Sequence, residues 1–391
     1  MASMFRDLFG PSEFNLTDNI FDNVTYNRNT IYRNFCHALN YPYGDKVIYG
    51  YSLPILAVVS LFLNSLAILV FMTTNCKSPT NMILIALALS DTLALCAIGP
   101  MLFIVYGLGN KEKILRYPFC IYHDYSYYVA NMFHILSIWL TTLLGFQRYI
   151  VVAFPLRGPR LWTRRNSFLG ILILFILSFV INFVPYHQKT YFGGEFYEKA
   201  TGEKYEKLCV CEYVESARAI GTIYTCLKLF PGTIVPCFML TVTTVLLISE
   251  LKRDTIQIIL LHSEGNTRER RDLKQIERTS RTIIVIAVCF LFIELPFVTL
   301  YIWILIEPDP KYSSLNEDSR FYTALSFNFL VYLGSMVNFF VFITMSQNFR
   351  KKLKFILLLG WIRLLPSKVR KSPTFHTHES NIIHNVKDTG V

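Results

Sequence analysis

Charge is scarce in this chain. Only 17% of its 391 residues are Asp, Glu, Lys or Arg, where a soluble globular protein carries about a quarter. No period of 20–50 residues recurs, which argues against a solenoid. Nine Cys spread over so long a chain exclude a disulfide scaffold. The opening MASMFRDLFGPSEF lacks a continuous apolar stretch, so no signal peptide is visible and the first membrane helix is expected to act as the insertion signal. Apolar residues, in contrast, make up 53% of the chain. Its 32 Phe and 23 Tyr must be buried somewhere, which excludes disorder as the main state. A net charge of +11 could suggest nucleic acid, but the charges flank apolar runs instead of forming a basic face.

Seven apolar runs, at about 49–73, 80–106, 120–152, 167–187, 220–249, 281–306 and 321–345, are long enough to cross a bilayer, which takes roughly 20 residues each. Seven such runs predict an all-α membrane protein, a seven-helix bundle. With the N-terminus outside, the inner segments hold 23 Lys/Arg against 8 Asp/Glu, and the outer segments 15 against 17. The basic excess on one side places the tail inside and the N-terminus outside. The sequons at Asn15 and Asn23 fall in that outer tail and make glycosylation there an expectation. The expected division is an outer tail over 1–47, mostly flexible, a seven-helix bundle over 48–347, and an inner segment over 348–391. In the last, QNFRKKLKFILLLGWIRLL mixes basic and apolar residues as a short helix on the inner leaflet would. The polar end beyond it offers Ser367, Ser372, Thr374, Thr377 and Ser380 for phosphorylation. Between runs five and six, ERRDLKQIER reads as the solvated ends of two helices.

An odd helix count without an internal repeat argues against most secondary transporters. Neither a charge ring nor a filter loop is present to suggest a channel. Polar residues inside lipid are costly and mark function. Here they are Asn64, Asp91, Ser137, Glu294, Asn328, Ser335 and Asn338.

Along 48–352 the chain resembles the rhodopsin-like G-protein-coupled receptors. Asn64 in LFLNSLAILV and Asp91 in LALSDTLAL match that family's first- and second-helix polar residues. Gln147-Arg148-Tyr149 stands at the Asp-Arg-Tyr position. Pro236 and Pro296 match the prolines of helices five and six. Asn338 to Phe342 stands at Asn-Pro-x-x-Tyr, and Phe349 comes next at the family's spacing. The departures are similar to invertebrate sex peptide (myoinhibitory peptide) receptors and the related myosuppressin and FMRFamide-type receptors. These are Gln147 for Asp, Glu294 in IELP for Trp, and the NFFVFITMSQNFR segment.

The resemblance implies roles. Cys120 is expected to pair with a cysteine of the second outer loop, Cys211 by preference and Cys209 as the alternative. Such a bridge is worth about 2–4 kcal/mol. Arg148 is expected to close the receptor at rest and to meet the G protein when open, with Gln147, Tyr149, Glu294, Pro296, Asn338 and Phe342 forming the rest of the switch. Since Gln147 offers no carboxylate, the lock on Arg148 should be weak or made by another residue. Asp91, Ser137, Ser335 and Asn338 match the family's sodium pocket, oxygen donors suited to a hard cation; a water-filled polar network is the other reading. No further cofactor is expected, and no enzyme. Glu294 should sit near that pocket, where two carboxylates cannot both stay charged cheaply.

Ala130 stands where amine receptors keep an Asp, and residues 321–345 contain no Lys for a retinal Schiff base, Tyr332 occupying that place. A mouth lined by Tyr127, Tyr128, Phe133, His134, Tyr224, Phe297, Tyr301, Tyr322 and Phe329 would suit the aromatic side chains of a peptide. The reading is a plasma-membrane receptor for a short amidated neuropeptide. Its expected partners are that peptide, membrane lipid, a heterotrimeric G protein of the inhibitory class, and receptor kinases and arrestin. A chemosensory receptor for small molecules and a non-signalling membrane binding protein are the alternatives.

Overall fold

The computed structural model describes residues 24–25, 34–35, 46–75, 78–108, 117, 119–155, 157–187, 189–198, 204–214, 216–260, 267–306 and 317–364. The sequons at Asn15 and Asn23 and the polar end after Leu364 lie outside the described residues. Helix α1 runs Leu53–Asn75 after a π-turn at Lys46–Ser52. Then come α2 at Pro79–Leu102, α3 at Phe119–Ala153 and α4 at Arg164–Phe183. Helix α5 starts at Ala217–Leu229, passes through a π-turn at Phe230–Ile234 and continues over Val235–Leu260. Helix α6 spans Thr267–Ile306, α7 Glu317–Met345 and α8 Gln347–Leu364.

Six described helices are long and apolar enough to cross a bilayer, seven if the bent pair of α7 and α8 is counted as one span. The bundle is inverted relative to a soluble protein. On α4, Phe168, Leu172, Ile176 and Val180 face outward, while Ser167, Ser178 and Asn182 are buried. Large apolar side chains outside and small polar ones inside fit a lipid surround. Where α3 meets α5, Gly145 admits the Leu240 side chain, which would lie 3.2 Å from any Cβ there. Thr142 bridges the same contact by donating to Pro236 O at 3.2 Å.

Helix α7 ends where Ser346 caps a new helix by accepting from the Phe349 amide at 3.2 Å. The chain bends there by 101°. Arg350 donates to the terminal α7 carbonyls of Ile343 and Thr344, and Lys352 donates to Thr73 O of α1 at 3.2 Å. Basic side chains thus satisfy carbonyls that helix ends leave open.

At the other end β3 (Lys189–Glu198) and β4 (Lys204–Tyr213) form a hairpin between α4 and α5. The short strands β1 (Val24–Thr25) and β2 (Asn34–Phe35) pair with its two edges, giving the order β1-β3-β4-β2. Two short pieces of the first tail segment are therefore ordered onto the hairpin.

Candidate functional site

The disulfide corrects the expectation for Cys211. Cys120, at the start of α3, is bonded to Cys209, with Cα atoms 6.3 Å apart. Cys209 and Cys211 are two residues apart on β4, about 7 Å along the strand. Cys209 stands opposite Gly193, which has no side chain, whereas Cys211 stands opposite Tyr191. Tyr191 donates its hydroxyl to Asp124 Oδ2 on α3. The bridge is buried with Met101 and Val105.

Below the hairpin the expected mouth residues separate. Tyr128 and Tyr224 are buried in a tyrosine cluster with ring centroids 6.0 Å apart, and Tyr186 lies 5.3 Å from Tyr128. Tyr224 also donates to Asn182 Oδ1 at 3.3 Å. These rings seal α3 against α4 and α5. Burial, and then the neighbouring Tyr125, raises the Tyr186 hydroxyl above its ordinary value, which keeps it a proton donor. Tyr127 and Phe329 pack instead with Tyr49, Ile98 and Ala130 on the α1, α2 and α7 side. Phe133 belongs to the core nearer α8, not to the mouth. Phe297, Tyr301 and Tyr322 lie on α6 and α7, but their side chains are outside the described residues.

Two residues, Lys228 and Asn131, join the site without having been expected there. Lys228 on α5 is 4% exposed and donates to Asn131 Oδ1 of α3 at 2.7 Å and to Tyr127 OH at 3.4 Å. On charge alone it reads as a lysine of the helix mouth. The available signal is a Lys within an apolar run, with Pro231-Gly232 just after it.

Midway through the bundle a cavity of about 30 Å³ is lined by Asp91, His134, Ser137, Glu294, Ser335 and Asn338, among others. That is room for a water or a small ion. Ser137 Oγ donates to Asp91 Oδ1 at 2.5 Å, and Asn338 Nδ2 donates to Asp91 Oδ2 at 2.9 Å. Asn64 Nδ2 reaches the Ser335 carbonyl at 3.4 Å. His134 therefore lies in this cavity, its Nε2 3.5 Å from Glu294 Oε1, and not at the mouth. Glu294 is 1% exposed, and its Oε2 has no hydrogen-bond partner among the described residues. A buried carboxylate oxygen without a donor, beside an oxygen-lined cavity, fits a cation or a water. Gly334 lets Ile293 pack 3.2 Å from where a Cβ would be, which brings α6 and α7 together at this level.

At the α8 end, Arg148 Nη2 donates to Thr80 Oγ1 of α2 at 2.6 Å. Gln147 is buried, and its Oε1 has no partner among the described residues. Tyr149 packs against Val152, Leu247, Leu251 and Ile284, which join α3, α5 and α6. Phe342 sits between Phe71 and Phe349, at centroid distances of 5.0 and 5.7 Å. Helix α6 carries Pro296 in its interior, where one backbone hydrogen bond is lost and bending is easier.

The family model described as 7 transmembrane receptor (rhodopsin family) matches residues 63–342. The chain belongs to the rhodopsin family of seven-transmembrane receptors. The receptor is 26% identical over 321 residues to the sex peptide receptor of Drosophila melanogaster, covering 80% of this chain and 72% of that one. It is 25% identical over 330 residues to sex peptide receptor-related protein 2 of Caenorhabditis elegans, covering 81% and 72%. Squid rhodopsin shares the fold, with a TM-score of 0.59 at 15% identity, over 88% of this chain and 93% of that structure. The protein is thus a multi-pass receptor of the plasma membrane, and its family signals rather than catalyses.

Proposed function

We propose that this receptor responds to a short amidated neuropeptide and activates a heterotrimeric G protein of the inhibitory class. The observation that carries the reading is the similarity to two sex peptide receptor-type proteins along four fifths of the chain. The mechanism is a shift of population. The peptide binds the form that is open at the inner face better than the closed form, α6 moves outward about the Pro296 region, and Arg148 leaves Thr80 for the G protein. The orientation with the N-terminus and hairpin outside rests on the Lys/Arg asymmetry.

Asp91, Ser137 and Ser335 would hold a sodium ion in the cavity, with Asn338 steadying Asp91. A cation there would supply positive charge to a cavity that both Asp91 and Glu294 line. Receptor kinases and arrestin would act at the inner face.

The test is a screen of a synthetic neuropeptide library on cells expressing this chain with a promiscuous G-protein reporter. Activation by amidated peptides at submicromolar concentration supports the reading. Silence to all peptides, with responses to small odorants or tastants, would replace it with chemosensation.

A further inference from the structure

The segment joining α3 to α4 carries four arginines in nine residues, Arg157, Arg160, Arg164 and Arg165. All four side chains are exposed. None takes part in an ion pair or a side-chain hydrogen bond among the described residues. Other basic side chains at this end of the bundle are engaged. Arg253 meets Glu250, Arg281 meets Glu277, Arg148 donates to Thr80, and Arg350 and Lys352 donate to carbonyls. The difference has a source in the sequence: no Asp or Glu stands between Asp124 and Glu195. Helix α2 packs against α4, but its one acid, Asp91, lines the cavity midway through the bundle.

The segment is also held in place. A helical turn at Gly158–Leu161 lies so close to α3 that a Cβ on Gly158 would stand 2.7 Å from Ile150 O. Gly158 N donates to Phe154 O at 2.6 Å, and Trp162 N to Gly158 O at 2.9 Å. The Trp162 ring meets Phe146 of α3 edge to face, with centroids 6.0 Å apart. Asn166 ties α4 back to the turn, its Nδ2 donating to Leu161 O at 2.7 Å. Phe154, Leu161, Phe168 and Leu169 stand out from the same stretch, each at least half exposed. The apolar span of α4 begins at Arg164. Charge and apolar surface therefore meet at the level where hydrocarbon gives way to headgroups.

We propose that this arginine segment is a binding site for a phosphoinositide, a polyphosphorylated phospholipid of the inner leaflet. Guanidinium groups take phosphate through paired N–H···O bonds. Several phosphates on one inositol ring engage several arginines at once, which a singly charged headgroup cannot do. Phe154, Leu161, Phe168 and Leu169 border the acyl chains, so the lipid meets more of the surface than its headgroup alone would. The proposal rests on the inner placement of this end of the bundle and on nothing in the peptide reading.

The experiment uses purified full-length receptor in phosphatidylcholine nanodiscs, without peptide or G protein. Binding of fluorescent phosphatidylinositol bisphosphate is measured against phosphatidylserine at equal total charge and against soluble inositol trisphosphate. Wild type should prefer the bisphosphate lipid over phosphatidylserine by at least about tenfold. The soluble headgroup should compete at least about tenfold less well than the lipid. Arg157→Gln with Arg160→Gln, and Arg164→Gln with Arg165→Gln, should each lower the lipid preference by about threefold or more. Lys351→Gln with Lys354→Gln on α8 should leave it unchanged. A phosphoinositide with a diazirine in its acyl chain gives a reading that needs no substitution. On wild type it should label the peptide fragment that holds Phe154, Leu161 and Phe168. No preference for the bisphosphate lipid, or a preference unchanged in both arginine pairs, overturns the proposal. So does an equal loss in the α8 pair, or labelling confined to α8. A soluble headgroup that competes as well as the lipid also overturns it, because the patch is then a site for free polyphosphate.

Discussion

Arg148 of α3 is tied to Thr80 of α2 through a single hydrogen bond of 2.6 Å between Nη2 and Oγ1. A hydroxyl thus takes the place of a neighbouring carboxylate, in a chain where Gln147 stands beside the arginine. The Arg148 Nε is left without an acceptor among the described residues, so the tie is a partial one. Thr80→Val keeps the shape and removes the acceptor. Basal nucleotide exchange should rise about fivefold, as expected for losing roughly 1 kcal/mol of a half-buried charged hydrogen bond. Arg148→Ala should abolish activation and leave peptide affinity within about threefold, because ~30 Å of hydrocarbon thickness separates the two ends. Full signalling by a surface-expressed Arg148→Ala receptor would contradict this assignment.

The disulfide leads to an ordered pair of variants. Cys209→Ser should remove agonist binding at the cell surface and lower thermal stability by about 2–4 kcal/mol. Cys211→Ser should leave both near wild type, since Cys209 and not Cys211 is bonded to Cys120. Equal losses in the two variants would mean that the hairpin depends on both cysteines.

Glu294 can be tested together with His134. Glu294→Gln keeps size and hydrogen bonding but fixes the group as neutral. Basal activity should change, and sodium should lower agonist affinity less than it does in wild type. His134→Gln, 3.5 Å away in the intact pair, should shift the same two quantities. Unchanged basal signalling, potency and sodium dependence in Glu294→Gln would leave it as a structural carboxyl only.

Phe342 offers a test of stability alone. It is buried between Phe71 and Phe349, so Phe342→Ala should cost about 3–5 kcal/mol. Phe342→Tyr should cost about 1–3 kcal/mol by burying a hydroxyl among rings. Thermal unfolding in lipid nanodiscs measures both. A melting point for Phe342→Tyr at or above that of wild type would show a hydrogen-bond acceptor within reach of the added hydroxyl.

The spans were readable because hydropathy and length are properties of a run, and α1 to α7 declare themselves in that way. The grouping of Asp91, Ser137, Ser335 and Asn338 around one cavity was available only through the family resemblance, which matches these four residues one by one. The choice between Cys209 and Cys211 was not, since residues two apart share a strand face and only the facing Gly193 and Tyr191 separate them. The role of His134 was misplaced for a related reason: four residues past Ala130, it lies one turn deeper than the mouth. Lys228 stayed hidden because a lysine in an apolar run reads as a boundary charge until a π-turn is known to aim it. The scattering of Tyr127, Tyr128 and Tyr224 over two sides of α3 is likewise a matter of rotation about a helix axis, which composition does not carry.

The contacts of α8 have a mechanical consequence. Through Lys352 on Thr73 and Arg350 on Ile343, it works as a clasp joining the first helix of the ring to the last. Arg148 rivets α3 to α2 nearby. On the same side of the bundle, α5 and α6 meet α3 through apolar packing around Leu247, Leu251 and Ile284. The bundle is thus laced by polar ties across α1, α2, α3, α7 and α8, and by apolar contacts where α5 and α6 meet α3.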